Sequence, residues 1–142
     1  MSLYCGIDLH SRDCWLAIVD EGLGIVEEEK VGNDLERVLE VLEPYREDLE
    51  GGAVESSYNL YWLVDGLMEA GHPVHITNTW AVKQYEGLKY ADDRHHARWL
   101  AQILALGILP DGFIYPKEER PVRDLLRRRS FLVKKRIGAW HL

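Results

Sequence analysis

Four residues of the types that carry phosphate chemistry are spread widely along the chain: Asp8, Glu55, Asp93 and His96. Asp8 sits between Ile7 and Leu9 in an apolar run, where an uncompensated carboxylate costs roughly several kcal/mol unless a cation or strong donors neutralise it. Glu55 follows the apolar pair Ala53-Val54. Asp93 stands in the first turn of a helical pattern, and His96, three residues on, falls on the same helix face. Carboxylate oxygens suit hard divalent cations, so three that converge can hold one or two Mg²⁺ (or Mn²⁺) ions bridging a phosphodiester. The expected chemistry is metal-dependent phosphoryl transfer on nucleic acid, with His96 as ligand, proton carrier or phosphate donor. Taken singly, each residue has a plainer reading. Asp8 can be a strand-end charge, Glu55 a helix cap, and Asp93 an acid complementing a helix dipole. A zinc site is disfavoured, since no cysteine lies near and no histidine follows at the i+4 spacing. Cys5 and Cys14 lie in apolar runs and read as buried reduced thiols.

The elements that must position these residues follow from hydrophobic period. Residues 3–9 and 14–19 are strand-forming runs separated by His10-Ser11-Arg12-Asp13, a β-hairpin pattern. Residues 24–31 form a third, charged strand of the kind found at a sheet edge. Asn33 or Asp34 then caps a helix with Leu35, Val38, Leu39 and Leu42 on one face, ending at Pro44. Residues 51–55 are a short buried strand, and Ser56 or Ser57 starts a helix over 58–70 stopped by Gly71. A fifth strand covers 73–77, and the segment 78–90 fits a helical turn followed by a loop. Asp92 caps a helix over 93–106 stopped by Gly107, and a long basic helix follows Pro116 or Pro121. Three meandering strands, then helix, strand, helix, strand, helix, is an α/β order. It predicts a ribonuclease H-like mixed five-stranded sheet flanked by helices, with the first and fourth strands parallel neighbours. That adjacency brings Asp8 beside Glu55 at the strand ends where open α/β sheets bind ligands. Asp93 can reach the same point from above.

The whole chain has 142 residues, 46% hydrophobic and 29% charged, the size and composition of one compact domain. No window approaches the roughly 18 apolar residues of a membrane span, and no signal-like start is present, so a cytoplasmic protein is expected. The net charge of −7 divides unevenly, with 17 acidic against 4 basic residues up to Trp80, and 7 against 13 beyond it. Residues 117–136 carry nine Lys or Arg and three acids. Such a helix packs its stripe of Val122, Leu125, Leu126, Leu132 and Val133 while Arg127, Arg128, Arg129, Lys134, Lys135 and Arg136 meet phosphates with little sequence reading. The same stripe can form a homo-oligomer seam. Lys83 and Lys89 lie near the acidic residues and can hold a nucleic-acid strand.

Five ordered pieces carry a family likeness: Gly6-Ile7-Asp8-Leu9-His10-Ser11, Val54-Glu55-Ser56-Ser57, residues 78–83, KYADDRHHARWLA over 89–101, and ERPVRDLLRRRSFLVKKR over 119–136. Together they resemble the DEDD transposases of insertion sequences, a group related to the Piv-type DNA invertase with a RuvC-like N-terminal domain. The resemblance implies an enzyme of DNA recombination. Asp8, Glu55 and Asp93 would supply the first three acids of a metal-binding tetrad, with Mg²⁺ or Mn²⁺ as cofactor. The fourth position holds His96, where the family pattern has Asp; imidazole removes a negative charge and favours softer ions. The implied partners are DNA and an element-encoded bridge RNA. The implied organisation is a RuvC-like domain over 1–115 and a basic helical arm over 116–142, ending before the family's serine-bearing domain. An inactive remnant that only binds nucleic acid or dimerises is the competing expectation. A sugar-kinase or actin-type ATPase half is disfavoured, because His10-Ser11-Arg12-Asp13 replaces the glycine-rich phosphate loop.

Overall fold

The computed structural model describes residues 1–55, 59–77, 93–109 and 129. The elements are β1 (Leu3–Leu9), β2 (Asp13–Asp20), β3 (Ile25–Gly32), α1 (Leu35–Leu42), a 3₁₀ turn (Glu43–Tyr45), β4 (Leu49–Glu55), α2 (Tyr61–Glu69), β5 (Val74–Thr77) and α3 (Asp93–Ala105). The strands lie in the order β3-β2-β1-β4-β5. β1 is parallel to β4 and β4 to β5, while β2 is antiparallel to both β1 and β3. This is the expected ribonuclease H-like sheet, with the acidic third strand at its edge. Residues 56–58, 78–92, 110–128 and 130–142, and with them the expected basic helix apart from the exposed Arg129, lie outside the described residues.

Local chemistry explains the boundaries. The β1–β2 turn closes where the His10 amide donates to the Asp13 carbonyl at 2.9 Å. Of the two cap candidates before α1, Asp34 serves: its side chain accepts from the Glu36 amide at 3.1 Å. Asn33 does something else, donating its Nδ2 to the His10 carbonyl at 2.7 Å and so tying the start of α1 to that turn. Pro44 opens the 3₁₀ turn that ends α1. α2 begins at Tyr61 rather than 58, because Asn59 adopts φ +58°, a left-handed conformation that a helix cannot contain. Gly71 and Gly107, at φ +92° and +73°, follow α2 and α3 as the expected stops.

Alternation along the strands builds a separate core on each face of the sheet. Cys5, Ile7, Cys14, Leu16, Ile18 and Val54 join Val38 and Leu42 of α1 and Leu63 and Leu67 of α2 on one side. On the other, Ala53 packs with Trp99, Leu100 and Ile103 of α3. Fully burying each large aliphatic chain contributes about 1.5–3 kcal/mol. Gly6 faces α3 with no room to spare. A Cβ there would lie 2.6 Å from the Ala101 amide nitrogen and closer still to the Ala97 carbonyl oxygen, so the backbones of β1 and α3 touch. No helix among the described residues is long and apolar enough to cross a membrane.

Candidate active site

The register between parallel β1 and β4 pairs Ile7 with Val54, which sets the next residues, Asp8 and Glu55, side by side at adjoining strand ends. Both lie on the α3 face: Asp8 is two residues beyond Gly6, and Glu55 two beyond Ala53. The side chains are 13% and 19% exposed, open enough for a ligand yet shielded enough to strengthen electrostatics.

Each carboxylate has an imidazole on it. His96, 8% exposed on α3, meets Glu55 Oε2 through Nε2. A carboxylate only accepts, so His96 Nε2 carries the proton it donates. The ring is steadied by Trp99, with centroids 5.4 Å apart. The close crossing of α3 over Gly6 brings His96 here, since a helix held one side chain farther from the sheet would lift the imidazole off Glu55. Arg98, from the same turn, pairs with Glu28 of β3 and anchors α3 across the far side of the sheet.

His10 is the second imidazole, and the sequence motifs gave it no role. Its Nε2 lies 3.0 Å from Asp8 Oδ2 and its Nδ1 3.6 Å from Asp13 Oδ1. Asp13 in turn meets Lys30 Nζ at 3.4 Å. The missed signal was spacing: residues i and i+2 of an extended chain share a face, so His10 had to follow Asp8. Thr77 was also missed. It pairs in register with Glu55 across β4 and β5, is wholly buried, and among the described residues its Oγ1 has no hydrogen-bond partner.

Asp93 is the first residue of α3, one turn before His96; its side chain lies outside the described residues, as do His95, Lys83, Lys89, Arg127, Arg128, Lys134, Lys135 and Arg136. Arg129 is exposed. Among the described residues no three His, Cys, Asp or Glu side chains gather closely enough to hold a metal ion. What the structure brings together is Asp8 with His10, and Glu55 with His96, on adjacent strands. Two neighbouring carboxylates that share a face, with a buried hydroxyl lacking a partner next to one of them, are a donor set that fits a hard divalent cation.

The cysteines take no part. Burial pushes the Cys5 thiol up to about 12. Burial, with the charges of Asp13 and Asp8, pushes Cys14 to about 11. Both are free and buried, so neither offers a thiolate near neutral pH.

Residues 5–140 match the family model of the DEDD transposases of IS110-type elements, described as "Transposase". Comparison with curated proteins gives no match. Among solved structures, the chain is similar to T. thermophilus RuvC in complex with Holliday junction substrate, at 19% identity over 79% of this chain and 100% of that one, with a TM-score of 0.60. That likeness is one of fold. A ROK family transcriptional regulator, a homolog of the E. coli MLC protein, aligns at 18% identity over 61% of this chain and 30% of that one, TM-score 0.45. The ethanolamine utilization protein EutJ from Carboxydothermus hydrogenoformans aligns at 14% over 60% and 40%, TM-score 0.42.

Proposed function

Because the chain belongs to the DEDD transposase family of IS110-type elements, we propose that its RuvC-like domain performs divalent-metal-dependent phosphoryl transfer on DNA at Asp8, Glu55 and Asp93. The observation that carries this reading is the placement of Asp8 and Glu55 at one level on one face of the sheet, under the helix that begins with Asp93.

The roles follow from the contacts. Asp8 and Glu55 would hold Mg²⁺ or Mn²⁺ with Asp93. When bound, the cation polarises the phosphodiester and activates the attacking oxygen. His10 orients the Asp8 carboxylate from the β1–β2 turn, and Asn33 fixes that turn by gripping the His10 carbonyl. His96 holds Glu55 from α3. Asp8 and Glu55 themselves stand on strands rather than loops, which keeps their backbones in a fixed relation. Residues 1–115 form the catalytic part in this reading and 116–142 the basic arm. In the arm Arg127, Arg128, Arg129, Lys134, Lys135 and Arg136 grip DNA or an element-encoded RNA, Lys83 and Lys89 hold a nucleic-acid strand, and the apolar stripe joins two copies.

The test is calorimetric titration of the full chain with Mn²⁺, alongside strand cleavage of branched DNA. Saturable binding and metal-dependent cleavage are expected, and both should be lost in Asp8→Asn and Glu55→Gln. A folded parent chain with no saturable Mn²⁺ binding overturns the reading. One observation favours a second reading, an inactive protein that only binds nucleic acid: His96 occupies Glu55 where the family pattern has Asp. In that case Mn²⁺ leaves DNA uncleaved while salt-sensitive DNA binding persists unchanged in Asp8→Asn.

A further inference from the structure

Three parallel strands end in one row on the α3 face: Asp8 of β1, Glu55 of β4 and Thr77 of β5. Thr77 is the anomaly in that row. It is 0% exposed, and its Oγ1 lacks a hydrogen-bond partner among the described residues. An unpaired buried hydroxyl gives up its hydrogen bonds to water and gains none in return. Valine has nearly the same shape, is favoured in strands, and would fill the place without that cost. Val74 and Ile76 already serve this strand.

The hydroxyl therefore points to a partner in another arrangement of the centre. Its neighbour in the row is Glu55, on a strand about 4.8 Å away. In this structure the Glu55 carboxylate is turned to His96. Rotation about the Glu55 side-chain torsions moves it from α3 toward β5, where Thr77 Oγ1 can donate to it.

We infer that Thr77 is a positioning residue for Glu55: its hydroxyl holds the Glu55 carboxylate in the cation-binding arrangement, and His96 holds it in the cation-free one. In the Thr77-held arrangement one carboxylate oxygen accepts from the hydroxyl, which leaves the other for the cation. Outer contacts of this kind fix the orientation of a ligand and raise affinity. The inference rests on the metal-dependent reading above and adds to it a named exchange between two partners of one carboxylate.

The experiment titrates Mn²⁺ into the parent chain, Thr77→Val, Thr77→Ser and Asp8→Asn by calorimetry, with urea unfolding of each in EDTA. Thr77→Val is expected to bind Mn²⁺ about tenfold more weakly, while its metal-free stability equals or exceeds that of the parent. Thr77→Ser keeps the parent affinity. A purely structural threonine predicts the opposite pattern, lowered metal-free stability with unchanged affinity. If Thr77→Val does not fold, Thr77→Ser is compared with Thr77→Ala, which differs from it by the hydroxyl alone; the same tenfold loss is expected in Ala. Affinity for Mn²⁺ in the hydroxyl-less variant within about twofold of its hydroxyl-bearing counterpart overturns the inference and leaves the metal-dependent reading standing. A parent chain with no Mn²⁺ binding that Asp8→Asn abolishes overturns both.

Discussion

Glu55 and His96 show how one side chain alters the demands on its neighbour. An imidazole donating to a carboxylate is a charge-assisted contact, so the pair is settled without a metal. Replacing the imidazole by a second carboxylate reverses this. His96→Asp sets two acids within reach of each other in a shielded place, where like charges repel. The expected outcome is a metal-free protein with a lower melting temperature, and a larger rise on adding Mn²⁺ than the parent shows. Thermal melts with EDTA and with Mn²⁺ check this; equal rises would mean that position 96 does not face the cation. The His10–Asp8 contact has a comparable logic in a more open setting, with the imidazole 35% exposed.

At the scale of elements, the crossing of α3 on β1 decides whether a site exists. Gly6→Ala places a methyl group against the backbone of Ala97 and Ala101, and neither can yield as a flexible side chain would. The helix must lift, and a loss of about 3 kcal/mol or more is expected from overpacking together with the lost Ala53–Trp99 packing. Urea denaturation measures it. The same displacement carries the start of α3, where Asp93 stands, away from the strand ends, so this variant should lose Mn²⁺ affinity as well as stability. The cap of α1 offers a milder contrast. Asp34→Ala removes the acceptor for the Glu36 amide and should cost about 1 kcal/mol, while Asp34→Ser restores most of it. Because α1 packs on the opposite face, Mn²⁺ binding should be unchanged in both variants.

Two properties belong to the whole molecule. Cys5 and Cys14 have folded values pushed to about 12 and about 11 from the ordinary 9.0. The unfolded chain thus releases these protons before the folded one does. Their contribution is complete below about pH 9 and is lost as pH rises from there toward 11–12. The urea midpoint should fall across that alkaline window, and Cys14→Ala should lessen the fall; a parallel decline in the variant would assign it to other groups. The second property is the division of charge between an acidic first part and a basic last part. If residues 116–136 hold nucleic acid, a variant with Arg127, Arg128 and Arg129 changed to Gln should bind all sequences more weakly. Its log–log salt slope should be shallower by about 2 to 3, read by fluorescence anisotropy at several salt concentrations.

The sequence by itself determined the strand and helix order, the two glycine stops, the acidic edge strand and the neighbourhood of Asp8 and Glu55. Each rests on a local period or on a topology that follows from element order. It did not determine where α2 starts, because the left-handed turn at Asn59 leaves no hydrophobic signature. Nor did it show that Asn33 ties down the β1–β2 turn instead of capping α1, that His10 closes on Asp8, or that Thr77 shares a row with Glu55. Those depend on register and on how near one backbone comes to another. Hydrophobic pattern tells which face of an element is buried; only packing of the sheet against α3, fixed at Gly6, decides which polar atoms then meet.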